Sequence, residues 1–328
     1  MTATYKKLFS YLFKSAIVIF AFWFIYTKLS GNNDLKEFML LMEHLPEQEI
    51  VFILGTVLLL MLVNWGIEAV KWKHLIRTVE SLSLWRAIES VFCGLTWAIF
   101  TPNRLGEYGG RVFFLSPKRR IIGVIAMAVG NIGQLVLTNV FGSIAICLFV
   151  YRFQLLDGVL FMALAALATF FSLFFLVFFF NIRWLNSLLL AVKWTRQYQR
   201  FYKVLARYRK RELSHILLLC FARYAVFTAQ YYIMFSWLIP ELYTTDILMM
   251  VCILFLVQSS LPSLDLFDIG IRSVTGLFFF KYITDQNSAV VACIASIWLI
   301  NIIIPAILGS YFVFKLNFFG NTQRTGTH

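Results

Sequence analysis

The chain has few residues of the kinds that most catalytic and metal sites need. Its 328 residues include five cysteines and four histidines, and they show no C-x-x-C pair and no H-x-x-x-H spacing. Walker, Rossmann and G-x-S-x-G patterns are missing as well. The sequence therefore predicts no metal site, no cofactor and no known catalytic motif. The cysteines, which all lie in apolar segments, are expected to be buried thiols rather than disulfides.

Charged residues are also scarce, at 14% of the chain, whereas 60% of residues are hydrophobic and 18% are aromatic. Predominantly apolar runs of about 18 residues or more predict transmembrane helices. Six runs meet this length: 8–29, 50–70, 121–150, 159–181, 213–239 and 288–314. No remaining stretch is both long and polar enough for a soluble domain, so we predict an all-α, polytopic membrane protein.

Lys and Arg are scarce in some loops and clustered in others, and this distribution predicts the orientation of the chain. Lys6 and Lys7 precede the first span, and the linker 182–212 holds nine basic residues and one acidic residue. By contrast, Lys36 is the one basic residue of the loop 30–49. Because cytoplasmic loops are rich in Lys and Arg, we expect both termini and the linker on the cytoplasmic side of the cytoplasmic (inner) membrane. This topology also accounts for the net charge of +13, so no nucleic-acid partner is predicted.

Two further apolar segments are each divided by a proline into two arms, and each arm is too short to cross a bilayer. The first, 87–120, turns at Thr101 and Pro102, and the second, 247–283, turns at Pro262. The charge pattern fits six spans only if each segment enters and leaves on the same side. We therefore predict two re-entrant hairpins. A competing layout treats each segment as a pair of thin crossings, giving about ten crossings in all.

Both hairpins carry the pattern acid-x-Gly-x-Arg, at Glu107 to Arg111 and at Asp268 to Arg272. Pro/Gly-broken apolar segments at corresponding places in two halves are typical of transporters built from inverted repeats. We therefore predict an inverted-topology repeat, with a first half at 1–158 and a second at 159–328. Irregular backbone at membrane depth is tolerated beside protein or a water-filled cavity, so a polar cavity is expected between the hairpins.

The candidate substrate-binding residues lie at the returning arms and in one span. A guanidinium matches phosphate or carboxylate and stays charged where water is scarce, and the amino-terminal ends of helices attract anions. The candidates are Arg104, Glu107, Arg111, Asp268, Arg272 and Arg223, the last about 15 Å into its span. The alternative is that each acid forms an i, i+4 ion pair with its arginine, and that Arg223 pairs with an acid such as Glu68.

Other polar residues fall on single faces of the predicted spans. These sets are Asn64, Glu68 and Lys71; Asn131, Gln134 and Thr138; and Arg223 and Gln230. Hydrogen bonding between helices is the commoner role of such residues.

Three stretches resemble a known family: Trp65 to Trp72, Thr101 to Arg111 and Pro262 to Arg272. They are similar to the lysylphosphatidylglycerol synthase transmembrane family, meaning the flippase-like half of the multiple peptide resistance factor and its stand-alone relatives. Ser273 stands where that family often has Glu. The resemblance implies translocation of a lipid, either an aminoacylated phospholipid or a polyprenyl-phosphate carrier. It does not imply lysyl-lipid synthesis, because there is no room for the aminoacyl-transferase domain, so a separate lipid-synthesis enzyme is an expected partner.

The preferred hypothesis from sequence is a lipid flippase that moves an anionic or aminoacylated lipid, or a polyprenyl-phosphate carrier, between leaflets. One alternative is an intramembrane lipid-modifying enzyme that uses Glu107 or Asp268 as general base, although no nucleophile or donor-binding motif accompanies them. Another is an accessory membrane protein that docks partners through the basic linker. We therefore expect a carrier of membrane lipids with anionic headgroups, not an enzyme.

Overall fold

A computed structural model describes residues 46–99, 101, 104–185, 187, 199–202, 204–261 and 268–314, together with Ser15 and Ile19. The first predicted span, both termini, most of the basic linker and the turn at Pro262 lie outside the described residues. So does the side chain of Asp268.

All regular elements of the described residues are helical. In chain order they are α1 (Glu47–Ile76), α2 (Leu84–Ala98), α3 (Leu105–Val112), α4 (Arg120–Arg152, preceded by a 3-10 turn at Pro117–Arg119), α5 (Gly158–Phe180), a short turn at Gln199–Tyr202, a 3-10 turn at Leu205–Arg207, α6 (Lys210–Leu238), α7 (Thr244–Ser260), α8 (Asp268–Phe280), α9 (Asn287–Trp298), a π-helical segment (Leu299–Ile303) and α10 (Ile304–Val313).

Five helical stretches are long and apolar enough to cross a membrane: Glu47–Ile76, Pro117–Arg152, Gly158–Phe180, Lys210–Leu238 and Asn287–Val313. They confirm the second to sixth predicted spans as helices of membrane-spanning length. The protein is thus an α-helical membrane protein. Helix α5 is the most peripheral of the five, since Phe179 is its one buried residue, and the exposed apolar surface of α5 suits contact with lipid.

The two proline-broken segments form pairs of short helices. Helix α2 has 15 residues and α3 has 8, which correspond to about 22 and 12 Å at 1.5 Å per residue. The second pair, α7 and α8, has 17 and 13 residues. Ser83 caps α2 by accepting a hydrogen bond from the Arg86 amide. Before α3, the Thr101 hydroxyl accepts one from the Gly106 amide at 2.7 Å, and Arg104 adopts a left-handed conformation with φ of 57°.

Helices α2 and α3 pack antiparallel with their backbones in direct contact. A Cβ atom on Gly110 would lie 2.5 Å from the Gly94 Cα, and one on Gly106 would lie 2.2 Å from the Trp97 carbonyl oxygen. Neither neighbour is a side-chain end that can move aside. Glycine is therefore required at both positions for this pair of helices to close.

This contact predicts that Gly110→Ala separates α2 from α3 and lowers the free energy of unfolding by about 1–3 kcal/mol. Thermal unfolding followed with a thiol-reactive dye measures it, because Cys93 is fully buried beside the contact. Gly109→Ala is the matched control, since its Cβ would meet side chains at an ordinary 3.8 Å. Equal melting temperatures for the two variants would contradict the prediction.

Helices α1 and α6 pack antiparallel. In the first half of α1, the Val57 carbonyl accepts a hydrogen bond from Gln230 of α6 at 2.9 Å. Just beyond the carboxyl end of α1, Arg77 pairs with Glu212 of α6 at 3.1 Å. These contacts between α1 and α6 therefore extend over about two-thirds of α1.

Each short helix pair packs against a long helix from the other part of the chain. Thr96 of α2 donates to the Ala306 carbonyl of α10 at 2.8 Å. On the other side, Arg152 at the end of α4 pairs with Asp246 of α7 at 2.7 Å. Close packing accompanies both contacts, since a Cβ on Gly142 of α4 would lie 2.5 Å from the Leu256 side chain of α7.

The order of helices recurs at a constant spacing in the chain. Arg272 follows Arg111 by 161 residues (272 minus 111). The same offset moves the bounds of α1 to 208–237, next to those of α6, and the bounds of α2 to 245–259, within α7. Residue 152, the end of α4, moves to 313, the end of α10.

Candidate functional site: a charged cavity between the two helix pairs

A cavity of about 630 Å³ lies where the two parts of the chain meet. Its walls come from α1, α3 and α4 and from α6, α7 and α8. The charged lining residues are Glu68, Lys71, Arg104, Glu107, Arg223 and Arg272, and the others are Asn64, Trp65, Tyr108, Asn131, Gln134, Leu135, Thr138, Tyr224, Phe227, Phe255, Gln258, Ser259, Ser260 and Leu261.

Glu68 of α1 is the centre of the charged wall. One carboxylate oxygen accepts from Arg111 Nη1 at 2.7 Å. The other accepts from Lys71 Nζ at 2.7 Å and from Arg223 Nη1. The Glu68 side chain is 3% exposed, so three cations share one buried carboxylate. The predicted pairing of Arg223 with Glu68 is confirmed.

Glu107 of α3 holds a second group of charges. It accepts from Arg111 Nη2 and forms an ion pair with Arg104, whose Nε lies 3.0 Å from Glu107 Oε2. Arg111 therefore bridges Glu107 and Glu68 and, with a side chain 2% exposed, lies behind the cavity wall rather than on it. The i, i+4 ion pair expected as the alternative role of Glu107 and Arg111 is confirmed as a contact.

The lining of the cavity carries an excess of positive charge. Among the described lining residues, Lys71, Arg104, Arg223 and Arg272 provide four cations, and Glu68 and Glu107 provide two carboxylates, so their formal charge is +2 (four minus two). A concave site with low-dielectric walls focuses such a field. The cavity is therefore suited to an anion.

Trp65 of α1 orders two of the cavity arginines. The guanidinium carbon of Arg223 lies 4.8 Å from the centre of the Trp65 ring, and that of Arg104 lies 5.8 Å from it. Both are within the range of a cation–π interaction. Arg223 is fixed further by Asn64, whose Oδ1 accepts from its Nε at 2.9 Å.

Two of the polar faces predicted from sequence turn toward the cavity. The α1 face and the α4 face of Asn131, Gln134 and Thr138 both contribute lining residues. The Asn131 amide donates to the Tyr108 hydroxyl at 2.5 Å across the α3–α4 contact. Gln230 of α6, by contrast, is fully buried and bonds the Val57 carbonyl, which is the helix-to-helix role expected for such residues.

The carboxyl end of α7 was not anticipated as part of the site. Gln258, Ser259, Ser260 and Leu261 all line the cavity. The available signal was three polar residues in succession at the end of an otherwise apolar arm. Such residues also suit a plain helix end, so the pattern alone did not distinguish the two roles.

The predicted site residues are thus only partly brought together. Arg104, Glu107, Arg223 and Arg272 line one cavity, Arg111 lies behind its wall, and the Asp268 side chain is outside the described residues. None of the five cysteines forms a disulfide, and Cys147 and Cys252 are half-buried rather than buried, because they lie on helix faces that are not fully covered. Within the described ranges, no group of three or more His, Cys, Asp or Glu could hold a metal ion.

Comparison with known proteins gives no relative from which a role could be transferred. No family model, no curated protein and no solved structure matches the chain. The function must therefore be argued from the geometry of the cavity.

Proposed function

We propose that this protein translocates a lipid with an anionic headgroup between the leaflets of the cytoplasmic membrane. The observation that carries the proposal is the cavity with a formal lining charge of +2, set among helices of membrane-spanning length. Glu68 lies eight residues from the end of α1, about 12 Å along the helix. Ionisable residues at such depth are costly and mark substrate pathways in membrane proteins.

An inverted repeat provides the means to expose the cavity to either side. The 161-residue offset pairs α1 with α6, α2 with α7, α3 with α8 and α4 with the stretch α9–α10. If each helix is replaced by its counterpart, the contact between α2 and α10 corresponds to the contact between α7 and α4. The antiparallel contact between α1 and α6 corresponds to itself. Helices related by an axis in the membrane plane must run antiparallel, and α1 and α6 do so.

The short pairs act as re-entrant hairpins in this mechanism. Helices α2 and α3 are too short to cross a hydrocarbon core about 30 Å thick, and α7 and α8 are shorter than a usual span. Alternate movement of the two hairpins opens the cavity to one leaflet and then the other, while the acyl chains remain in the bilayer. Both termini and the basic linker face the cytoplasm, and a separate enzyme makes the lipid.

The resemblance to the flippase-like half of the multiple peptide resistance factor supports the same function. Of the stretches that carry the resemblance, Trp65 to Trp72 and Thr101 to Arg111 contribute Glu68, Arg104 and Glu107 to the cavity. The enzyme alternative has less support, because Glu107 forms ion pairs with two arginines and a general base needs a carboxylate that is free to take a proton.

Transport by purified protein in lipid vesicles tests the proposal. Arg223→Gln is expected to slow the movement of a labelled anionic phospholipid at least about tenfold, the effect of one lost charge-assisted contact. Arg223→Lys is expected to restore only part of the rate, because an ammonium lacks the planar fork.

Arg77→Gln is the matched control, since this arginine is 60% exposed and lies outside the cavity. Its rate should equal that of the unmodified protein at equal amounts of folded protein. Unchanged rates for both Arg223→Gln and Arg104→Gln would refute an anion-binding role for the cavity. Mass spectrometry of the recovered lipid separates carrier from enzyme, because a carrier leaves the lipid mass unchanged.

Cysteine labelling tests the predicted topology. In a cysteine-free background, Lys118→Cys in the exposed turn before α4 is expected to resist an impermeant reagent applied outside the cell. Leu155→Cys, in the exposed loop between α4 and α5, is expected to react. Reaction of the Lys118→Cys variant with the reagent applied outside would contradict both the predicted re-entrant hairpin and the predicted inverted repeat.

A further inference from the structure

We infer that the headgroup held in this cavity is a phosphate joined to a neutral, hydroxyl-bearing group, and that headgroups with a net positive charge are excluded. This inference rests on the proposed function and names its substrate class. Two properties of the lining carry it: the occupancy of its carboxylates and the chemistry of its neutral wall.

Every described carboxylate oxygen of the cavity already contacts a cationic nitrogen. In Glu68, Oε1 is bound by Arg111 and Oε2 by Lys71 and Arg223. In Glu107, Oε1 is bound by Arg111 and Oε2 by Arg104. An ammonium group on the lipid, such as an esterified lysine brings, would have to displace an arginine or lysine and would add to a lining charge of +2. Aminoacylated lipids are therefore disfavoured.

The wall formed by α4 and α7 is neutral and polar. From α4 it has Asn131, Gln134 and Thr138, and from α7 it has Gln258, Ser259 and Ser260. Carboxamides and hydroxyls both donate and accept hydrogen bonds. They match a group of alcohols, which also does both, better than they match a second charge.

Two atoms of this wall lack a hydrogen-bond partner within the described part of the chain. They are the acceptor Gln134 Oε1 and the donor Gln258 Nε2, and both atoms are buried. A buried polar atom without a partner is costly. One hydroxyl-bearing ligand supplies both a donor and an acceptor, whereas a bare phosphate dianion supplies acceptors alone.

Size and apolar surface agree with a headgroup larger than phosphate. A cavity of about 630 Å³ is in the usual range for small-molecule sites and far exceeds the volume of one phosphate group. Phe227 and Phe255, stacked with ring centres 5.0 Å apart, line it beside the polar wall. Their faces offer an apolar surface for the carbon atoms of a polyol or sugar, and the arginines of the same cavity hold the phosphate.

Two lipid sources carry this chemistry: a glycerophospholipid with a polyol headgroup and a polyprenyl phosphate that bears a sugar. Competition binding to the purified full chain in lipid nanodiscs compares each source with its parent. Phosphatidylglycerol is compared with phosphatidic acid, and polyprenyl-phosphate hexose with bare polyprenyl phosphate. At least one hydroxylated lipid is expected to bind about tenfold more tightly than its parent, and lysyl-phosphatidylglycerol is expected to bind more weakly than phosphatidylglycerol by a similar factor.

Substitutions in the neutral wall identify the cause of the preference. Gln134→Leu together with Gln258→Leu is expected to bring the ratio between the affinities for hydroxylated lipid and for its parent close to one. Asn139→Leu is the matched control, because Asn139 is a carboxamide on α4 outside the cavity lining, and it should keep the ratio.

The outcomes separate this inference from the proposed function. Equal affinity for parents and hydroxylated lipids, a preference kept in the double variant, or tight binding of lysyl-phosphatidylglycerol would overturn the inference even if lipids are translocated. Preference for hydroxylated lipids in nanodiscs without any translocation in vesicles would support the assignment of the ligand and overturn the transport function instead.

Discussion

Glu68→Gln is expected to remove most folded protein from the membrane, with a loss of about 3–5 kcal/mol, the usual cost of breaking a buried ion pair. Three cations share the Glu68 carboxylate, and two of them, Lys71 and Arg111, are 2% exposed. A carboxamide removes the carboxylate that compensates Lys71 and Arg223 and leaves Arg111 with Glu107 alone. A loss of this size is a large fraction of the 5–15 kcal/mol that stabilises a typical protein.

Fluorescence-detected size exclusion of the detergent-extracted protein measures the folded fraction. Glu49→Gln is the matched control, since Glu49 is exposed in the first turn of the same helix and surface changes of this kind usually alter stability by less than about 0.5 kcal/mol. If Glu68→Gln gives as much folded protein as Glu49→Gln, the three cations do not depend on this carboxylate.

The charge exchange Glu107→Arg with Arg111→Glu is expected to be more harmful than Glu107→Gln alone. If the two residues formed an isolated pair, exchanging them would preserve their attraction. Arg111 also binds Glu68 at 2.7 Å, so the exchange places a carboxylate against a carboxylate. Two like charges about 4 Å apart repel by about 4 kcal/mol at an effective dielectric constant of 20.

Melting temperatures of the unmodified protein and the two variants test this prediction. We expect the highest melting temperature for the unmodified protein, a lower one for Glu107→Gln and the lowest for the exchanged double variant. Recovery of the melting temperature in the double variant relative to Glu107→Gln would mean that Arg111 acts through Glu107 alone.

The positions of the described membrane-length helices could be predicted from sequence, because a long run of apolar residues predicts such a helix. The predicted centres of the second to sixth spans each lie within a few residues of the observed centres. The predicted hairpin arms 87–100 and 247–261 correspond to α2 and α7. The pairing of Arg223 with Glu68 was also predictable, since a charge deep in an apolar span needs a partner.

The double role of Arg111 was not predictable from sequence. Its bond to Glu107 is local and follows from i, i+4 spacing, but its bond to Glu68 spans 43 residues. The position of α3 depends on the backbone contact between Gly94 and Gly110. No periodic pattern in the sequence predicts such a backbone contact, so Arg111 remained a candidate substrate ligand. The residues at the end of α7 were missed for a similar reason, because their role depends on which helices face them.

The π-helical segment Leu299–Ile303 divides the last membrane-length stretch into two mechanical units. Before it, Cys293 of α9 contacts the Met234 carbonyl of α6. After it, α10 is held to α2, because Thr96 bonds the Ala306 carbonyl and a Cβ on Gly309 would lie 2.0 Å from the Phe92 carbonyl oxygen. π-Helical segments within α-helices are frequent at functional sites, and Pro305 supplies no backbone donor. In the proposed transport cycle, this segment is the place where α10 would bend away from α9, so that α10 moves with α2 and α3 while α9 stays against α6.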